Sequence, residues 1–142
     1  MDYLHAMLRK QRIELMSAQQ NLAAQERRLE ELVRACARQR WLCQAAEHYW
    51  REQLESVELH VDLLAAAGAH HRRQQLDLKQ AQEREWEQHG EIERWRQQVR
   101  RLEKIMEKLT DLQQRRAREQ QLAVQRDEWQ ALDDAVAARL SA

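Results

Sequence analysis

The sequence is short of the residues that end helices and that build strands. It has no Pro, no Phe, two Gly, one Thr and three Ser. Val and Ile together supply nine residues, too few for a β-sheet. In contrast, Ala, Glu, Lys, Leu and Arg make up 80 of the 142 residues, and Gln adds 20. This exceeds the share of roughly one half that is typical of long helices and coiled coils, so we predict an all-α protein.

Charge and hydropathy exclude further classes of protein. The 24 basic residues balance the 24 acidic ones, and the mean hydropathy is −0.94. No run approaches the ~18 apolar residues of a membrane span, and the N-terminus lacks the apolar core of a signal peptide. Cys36 and Cys43 would lie about 10 Å apart on one helix, too far for a disulfide. We therefore expect a soluble, cytoplasmic protein with two buried thiols.

Every seventh residue in the first half is apolar, which is the pattern of a coiled-coil core row. The second half repeats this spacing, fades into polar residues between Gln113 and Gln121, and resumes in a shifted frame. The first row is Leu8, Leu15, Leu22, Leu29, Cys36, Cys43, Trp50, Val57 and Leu64, and the later apolar residues are Ile92, Trp95, Val99, Leu102, Met106, Leu109, Leu122, Trp129, Leu132 and Val136.

The two halves are predicted to form an antiparallel coiled-coil hairpin over residues 1–142. Gly68 lies at the midpoint and is a suitable helix-ending residue, so helix 1 should span about 2–67, the turn about 68–71 and helix 2 about 72–140. The numbers of facing residues should then add to 137 or 138, which pairs Leu8 with Trp129, Gln39 with Val99 and Cys36 with Leu102. A single continuous helix that dimerises along its length is the alternative, since the heptad phase runs through the glycine.

Catalytic and ligand-binding motifs are lacking. Two glycines cannot build a phosphate-binding loop or a nucleophile elbow, and a two-helix hairpin has no cavity that would desolvate acidic or His side chains. No two of the six His residues are spaced i, i+4, the spacing that presents two metal ligands on one helix face. We therefore predict no enzyme activity, no cofactor and no metal site.

Two surface features bear on whether the chain binds partners. Residues 94–118 hold nine basic and three acidic residues, but the acidic residues pair with basic ones a helical turn away, which is typical of a solvated face rather than a nucleic-acid site. Trp41 and Trp86 fall outside the core rows and should face outward. Exposed tryptophans either pack locally on the helix surface or contact a partner.

Two stretches resemble a known family, the stalk proteins of type III secretion systems (the FliJ/YscO group). They are RRLEKIMEKLTDLQQRRAREQQLAVQRDEWQALDDAVAARL at residues 100–140 and the less distinctive LRKQRIELMSAQQNLAAQERRLEEL at residues 8–32. The matching features are the LEK…EKL run, the Arg-Arg-x-Arg-Glu stretch and the closing acidic element around Asp133 and Asp134. Val136 stands where the family usually has an aromatic residue. The likeness covers about half of the chain.

The resemblance implies an antiparallel hairpin similar to the central shaft of rotary ATPases. Its open end, here residues 1–25 with 112–142, would enter and stimulate a hexameric export ATPase. Its turn end, here 55–85, would reach the export-gate protein of the inner membrane, and the family also handles export chaperones. The protein would act as a monomer in the cytoplasm at the inner-membrane base of a virulence-associated injectisome or a flagellar export apparatus, with no nucleic acid bound and no insertion into the membrane.

Candidate contact residues follow from the core rows and this placement. Core packing fades where three arginines crowd together, and large apolar residues near Gly68 lie off the core rows, so both groups are available to partners. The ATPase-facing candidates are Arg115, Arg116, Arg118, Trp129, Leu132, Asp133 and Asp134, and the gate-facing candidates are Leu59, Leu63 and Leu76. The main alternative function is a homodimeric coiled-coil scaffold or adaptor, and a nucleic-acid-binding helical protein is a distant third.

Overall fold

A computed structural model describes the backbone of residues 2–141 and the side chains of residues 3–141. It contains two helices, α1 over Asp2–Glu55 and α2 over Val61–Leu140. The helices pack against each other, and no strand occurs in the described part of the chain. The prediction of an all-α helical hairpin is confirmed. Residues 2–141 contain no helix apolar enough over a sufficient length to cross a membrane.

The predicted position of the turn is wrong. α1 ends at Glu55 rather than near residue 67, and α2 begins at Val61 rather than near residue 72, so residues 56–60 form the connection. The prediction relied on a glycine, but no residue in the described chain has a positive φ, so this turn does not need one.

Local polar groups explain why the helix ends at this point. The Ser56 hydroxyl donates a hydrogen bond to the Glu58 carbonyl at 3.1 Å, which offers the backbone an alternative to the helix. α1 has no basic residue in its last turn to complement the carbonyl end of its dipole. α2 starts with the Leu64 amide donating to the His60 carbonyl at 2.9 Å, and Asp62 in the first turn complements its amide end.

Gly68 lies inside α2 and allows a close contact between the helices. A Cβ atom on Gly68 would sit 3.2 Å from Trp50 Nε1. The Trp50 ring also stacks on His71, with 5.6 Å between ring centroids and 15° between planes. The glycine at the sequence midpoint is therefore a packing residue for Trp50, and it does not end a helix.

The register of the hairpin differs from the prediction because the turn is earlier. Gln39 bonds to Gln74 and Gln88 bonds to Gln25, so the numbers of facing residues add to 113 in both pairs. Trp50 with His71 gives 121. Leu8 packs in one cluster with Leu109 instead of facing Trp129, Gln39 meets Gln74 instead of Val99, and Cys36 interacts with Glu85 instead of Leu102.

The chain divides into two compact units, where the sequence predicted one hairpin domain. One unit comprises Met1–Ser17 with Val99–Ala142, and the other comprises Ala18–Gln98. In the first unit, buried Leu4, Leu8 and Leu109 pack with the partly buried Met7, Ile105 and Met106. The second unit buries mainly small apolar residues, which lets its helices approach closely. The buried residues are Ala18, Cys36, Cys43, Ala46 and Ala67, together with Ile92.

Candidate protein-binding surfaces

The last part of α2 has no helix packed against it. We call residues 114–141 the C-terminal segment; every one of its side chains is exposed. The start of α1 explains this, because Leu4 and His5 line a cleft of about 230 Å³ together with Gln113 and Ala117. α1 thus begins beside the start of the C-terminal segment, and no described residue of α1 extends along it. The predicted burial of Leu122 and Trp129 against helix 1 is wrong for this reason.

The C-terminal segment presents an unpaired apolar face. Five large apolar residues follow at spacings of seven, three, four and four, which places them on one side of a helix. We call this face the apolar stripe; its members and their exposed fractions are Leu122 (51%), Trp129 (67%), Leu132 (55%), Val136 (50%) and Leu140 (83%). Surfaces of this kind on a slim helix mark contacts with other proteins.

The predicted charged residues of the ATPase-facing group also lie on the C-terminal segment. Arg115, Arg116 and Arg118 are exposed, and Arg116 lines the cleft beside Leu4. Asp133 and Asp134 are exposed as well, about 15 residues further along the helix. None of these five groups forms an ion pair with a side chain that the structure describes. The structure thus gathers all the predicted ATPase-facing residues on one uncovered helix.

A second apolar surface surrounds the turn between the helices. Leu59 (56% exposed) lies in the turn, and Leu63 (48%) lies in the first turn of α2. Leu54, Val57 and Val61 are exposed next to them, with Val57 fully open to solvent. We call these five residues the turn cluster. Leu76 is also exposed but lies 13 residues beyond Leu63 on α2, or roughly 20 Å along the helix, so the structure does not bring it to the turn.

Leu54, Val57 and Val61 were missed as surface residues by the sequence analysis. Val57 continued the apolar row of α1 and was assigned to the core, and the assignment fails because the helix ends two residues before it. A Ser followed by β-branched and acidic residues was the available signal for this break. The outward orientation predicted for Trp41 and Trp86 is confirmed, since 67% and 79% of their surfaces are exposed.

No group of three or more His, Cys, Asp or Glu side chains among the described residues is arranged to hold a metal ion. Cys36 is buried, and this desolvation, together with a hydrogen bond from the thiol to Glu85, raises its pKa. A thiol with a raised pKa stays protonated at neutral pH and is a poor nucleophile.

Comparison of the chain with protein-family models, curated proteins and solved structures found no match.

Proposed function

We propose that this chain is the central stalk of a type III export apparatus. The C-terminal segment enters the bore of a hexameric export ATPase and stimulates it, and the turn cluster contacts the export-gate protein at the inner membrane. The chain acts as a monomer in that complex, in the cytoplasm at the membrane-side base of a secretion machine, and export chaperones are further partners. The same residues suit an injectisome and a flagellar apparatus.

The observation that carries the proposal is the uncovered C-terminal segment. A protein that needed these 28 residues only for its own fold would bury part of them, yet all are exposed. The segment combines unpaired arginines with an apolar stripe and two adjacent aspartates. The sequence stretch that resembles the stalk family, residues 100–140, contains nearly all of it.

A mechanism follows from the charge and asymmetry of the segment. Guanidinium groups pair bidentately with carboxylates, so Arg115, Arg116 and Arg118 suit an acidic ring lining. Trp129 and Leu132 supply apolar anchors, and Asp133 with Asp134 would meet basic groups deeper in the bore. A single helix contacts the six subunits of a ring unequally, which would favour ring assembly and sequential hydrolysis, by analogy with rotary ATPases.

The test is stimulation of the cognate hexameric ATPase by purified chain. We expect the triple variant Arg115→Glu, Arg116→Glu, Arg118→Glu to lose most of the stimulation while its circular-dichroism spectrum stays helical. Single substitutions should be mild, since an exposed ion pair contributes under ~1 kcal/mol. The matched control changes Arg34, Arg38 and Arg73, three exposed arginines of the other unit, to Glu. Equal stimulation by both triple variants would remove the arginines of the C-terminal segment from the mechanism.

The contact with the export gate has its own test. We expect Leu59→Gln with Leu63→Gln to weaken binding to the purified cytoplasmic part of the gate and to abolish secretion, with melting unchanged because both side chains are already exposed. Leu76→Gln is measured beside it, because Leu76 was assigned to the same contact but lies about 20 Å from Leu63 along α2. Loss of stability in the double variant would show that these leucines serve the fold.

A further inference from the structure

The C-terminal segment carries its charges in two blocks of opposite sign. Residues 114–126 contain four arginines and one glutamate, and residues 127–141 contain four carboxylates and one arginine. All of these side chains are exposed. A helix with one basic and one acidic half is complementary to a second copy of itself that runs in the opposite direction.

The apolar stripe needs a covering surface for a helix of this length to be stable. Beyond Gln120, which lines the cleft beside Leu4, α2 continues to Leu140 with every side chain exposed. Isolated helices in water are marginal, and most helical stability in proteins comes from packing of an apolar face. The stripe leaves large apolar surface open on that face, with Trp129 and Leu132 at its centre.

We propose that the C-terminal segments of two copies of this chain pair as an antiparallel two-helix coiled coil centred on Trp129 and Leu132. In this pairing Trp129 of each copy packs against Leu132 of the other. Leu122 packs against the aliphatic part of Arg139, and Val136 packs against Gln125, so each core layer has an apolar side chain on at least one side.

The residues beside the stripe select this register. Arg126 and Asp133 are seven residues apart, so they lie in one row along the same side of the apolar stripe, which we call the flanking row. In an antiparallel pair the flanking rows of the two copies lie next to each other. With Trp129 facing Leu132, Arg126 of each copy lies beside Asp133 of the other, giving two attractive contacts. If one helix slides by one heptad in one direction, the two Arg126 side chains become neighbours. If it slides by one heptad in the other direction, the two Asp133 side chains become neighbours, and like charges repel in both cases.

A parallel arrangement is disfavoured by the same charges. In a parallel pair, a residue on the side of the core where Glu128 lies meets the residue numbered five higher on the other copy. Glu128 would then lie next to Asp133 on both sides of the pair, and like charges at these positions are destabilising. The antiparallel pairing is therefore the arrangement that both covers the apolar stripe and places opposite charges beside each other.

The test measures the mass of the full-length chain across a range of concentrations at low salt, by sedimentation equilibrium or light scattering. We expect the wild type to pass from monomer to dimer. Arg126→Asp and Asp133→Arg each turn both attractive contacts into repulsive ones, so each variant should dimerise about tenfold more weakly or worse. An equimolar mixture of the two variants restores opposite charges at both contacts and should recover the wild-type dimer.

The controls place the same charge changes outside the flanking row. Arg115→Asp and Asp134→Arg should dimerise like the wild type, and circular dichroism should show the same helicity in all variants. A wild type that stays monomeric at every concentration overturns the proposal. A dimer that Arg126→Asp and Asp133→Arg leave intact, or whose loss is not recovered by mixing, overturns it too. The dimer uses Trp129 and Leu132, which the proposed ATPase contact also uses, so it is the state of the chain outside the ring. Stimulation of the ATPase is measured separately, so failure of one proposal is distinguishable from failure of the other.

Discussion

At the scale of single residues, the two glycines of α2 have different surroundings. A Cβ on Gly68 would meet the Trp50 ring at 3.2 Å, and that ring is held by stacking on His71. Gly90 has nothing within 4 Å of the same position. Gly68 thus makes room for the Trp50 ring, whereas Gly90 only weakens the helix that contains it.

Alanine at each glycine should therefore have different effects on stability. We expect Gly90→Ala to raise the free energy of unfolding by up to ~1 kcal/mol, the difference in helix propensity. Gly68→Ala should gain less than this or lose stability, because Trp50 has to move away from the new methyl group. Urea denaturation followed by circular dichroism measures both. Equal stabilisation by the two substitutions would show that the Trp50 contact yields freely.

Polar residues between the two helices also have particular partners. Gln25 and Gln39 of α1 pair across the hairpin with Gln88 and Gln74 of α2. In each pair the donor amide also bonds to the backbone carbonyl of its partner residue, at 3.0 Å and 3.2 Å. Such paired amides between helices favour one register over others at some cost in stability.

At the scale of elements, α2 is longer than α1 by the part that no described residue covers. α1 has 54 residues and α2 has 80. The packed core of the first unit ends near Leu109, and the side chains of the C-terminal segment are exposed. Its helicity and its stability are therefore separate from those of the hairpin core.

Removing the C-terminal segment should leave the hairpin intact. We expect a chain ending at Gln113 to keep its melting temperature within a few degrees, because the deletion removes no buried side chain. The ellipticity should fall only in proportion to the helical residues removed, and stimulation of the ATPase should be lost. Thermal unfolding followed by circular dichroism checks the first two points. A large drop in melting temperature would mean that the segment packs on the hairpin core in solution.

At the scale of the whole molecule, the earlier turn moved the register by between two and four heptads. The predicted sums of facing residue numbers were 137 or 138, whereas the glutamine pairs give 113 and Trp50 with His71 gives 121. The displacement is 24 or 25 residues at the glutamine pairs and 16 or 17 at Trp50. Each helix still turns its own apolar rows toward the other, so Cys36, Cys43, Ile92 and Leu102 are buried as predicted although their facing residues changed.

The sequence alone determined the helical class, the two-helix hairpin and most of the core rows, because these depend on composition and on a period that each helix carries by itself. It also located the charged residues of the C-terminal segment, Trp129 and Leu132 of the apolar stripe, and Leu59 and Leu63 of the turn cluster. The tertiary structure decided the turn at 56–60, the partner of Gly68 and the lack of a covering helix over the C-terminal segment. Periodicity is unchanged by sliding through whole heptads, so register depends on specific contacts between distant residues, here Trp50 at Gly68 and the two glutamine pairs.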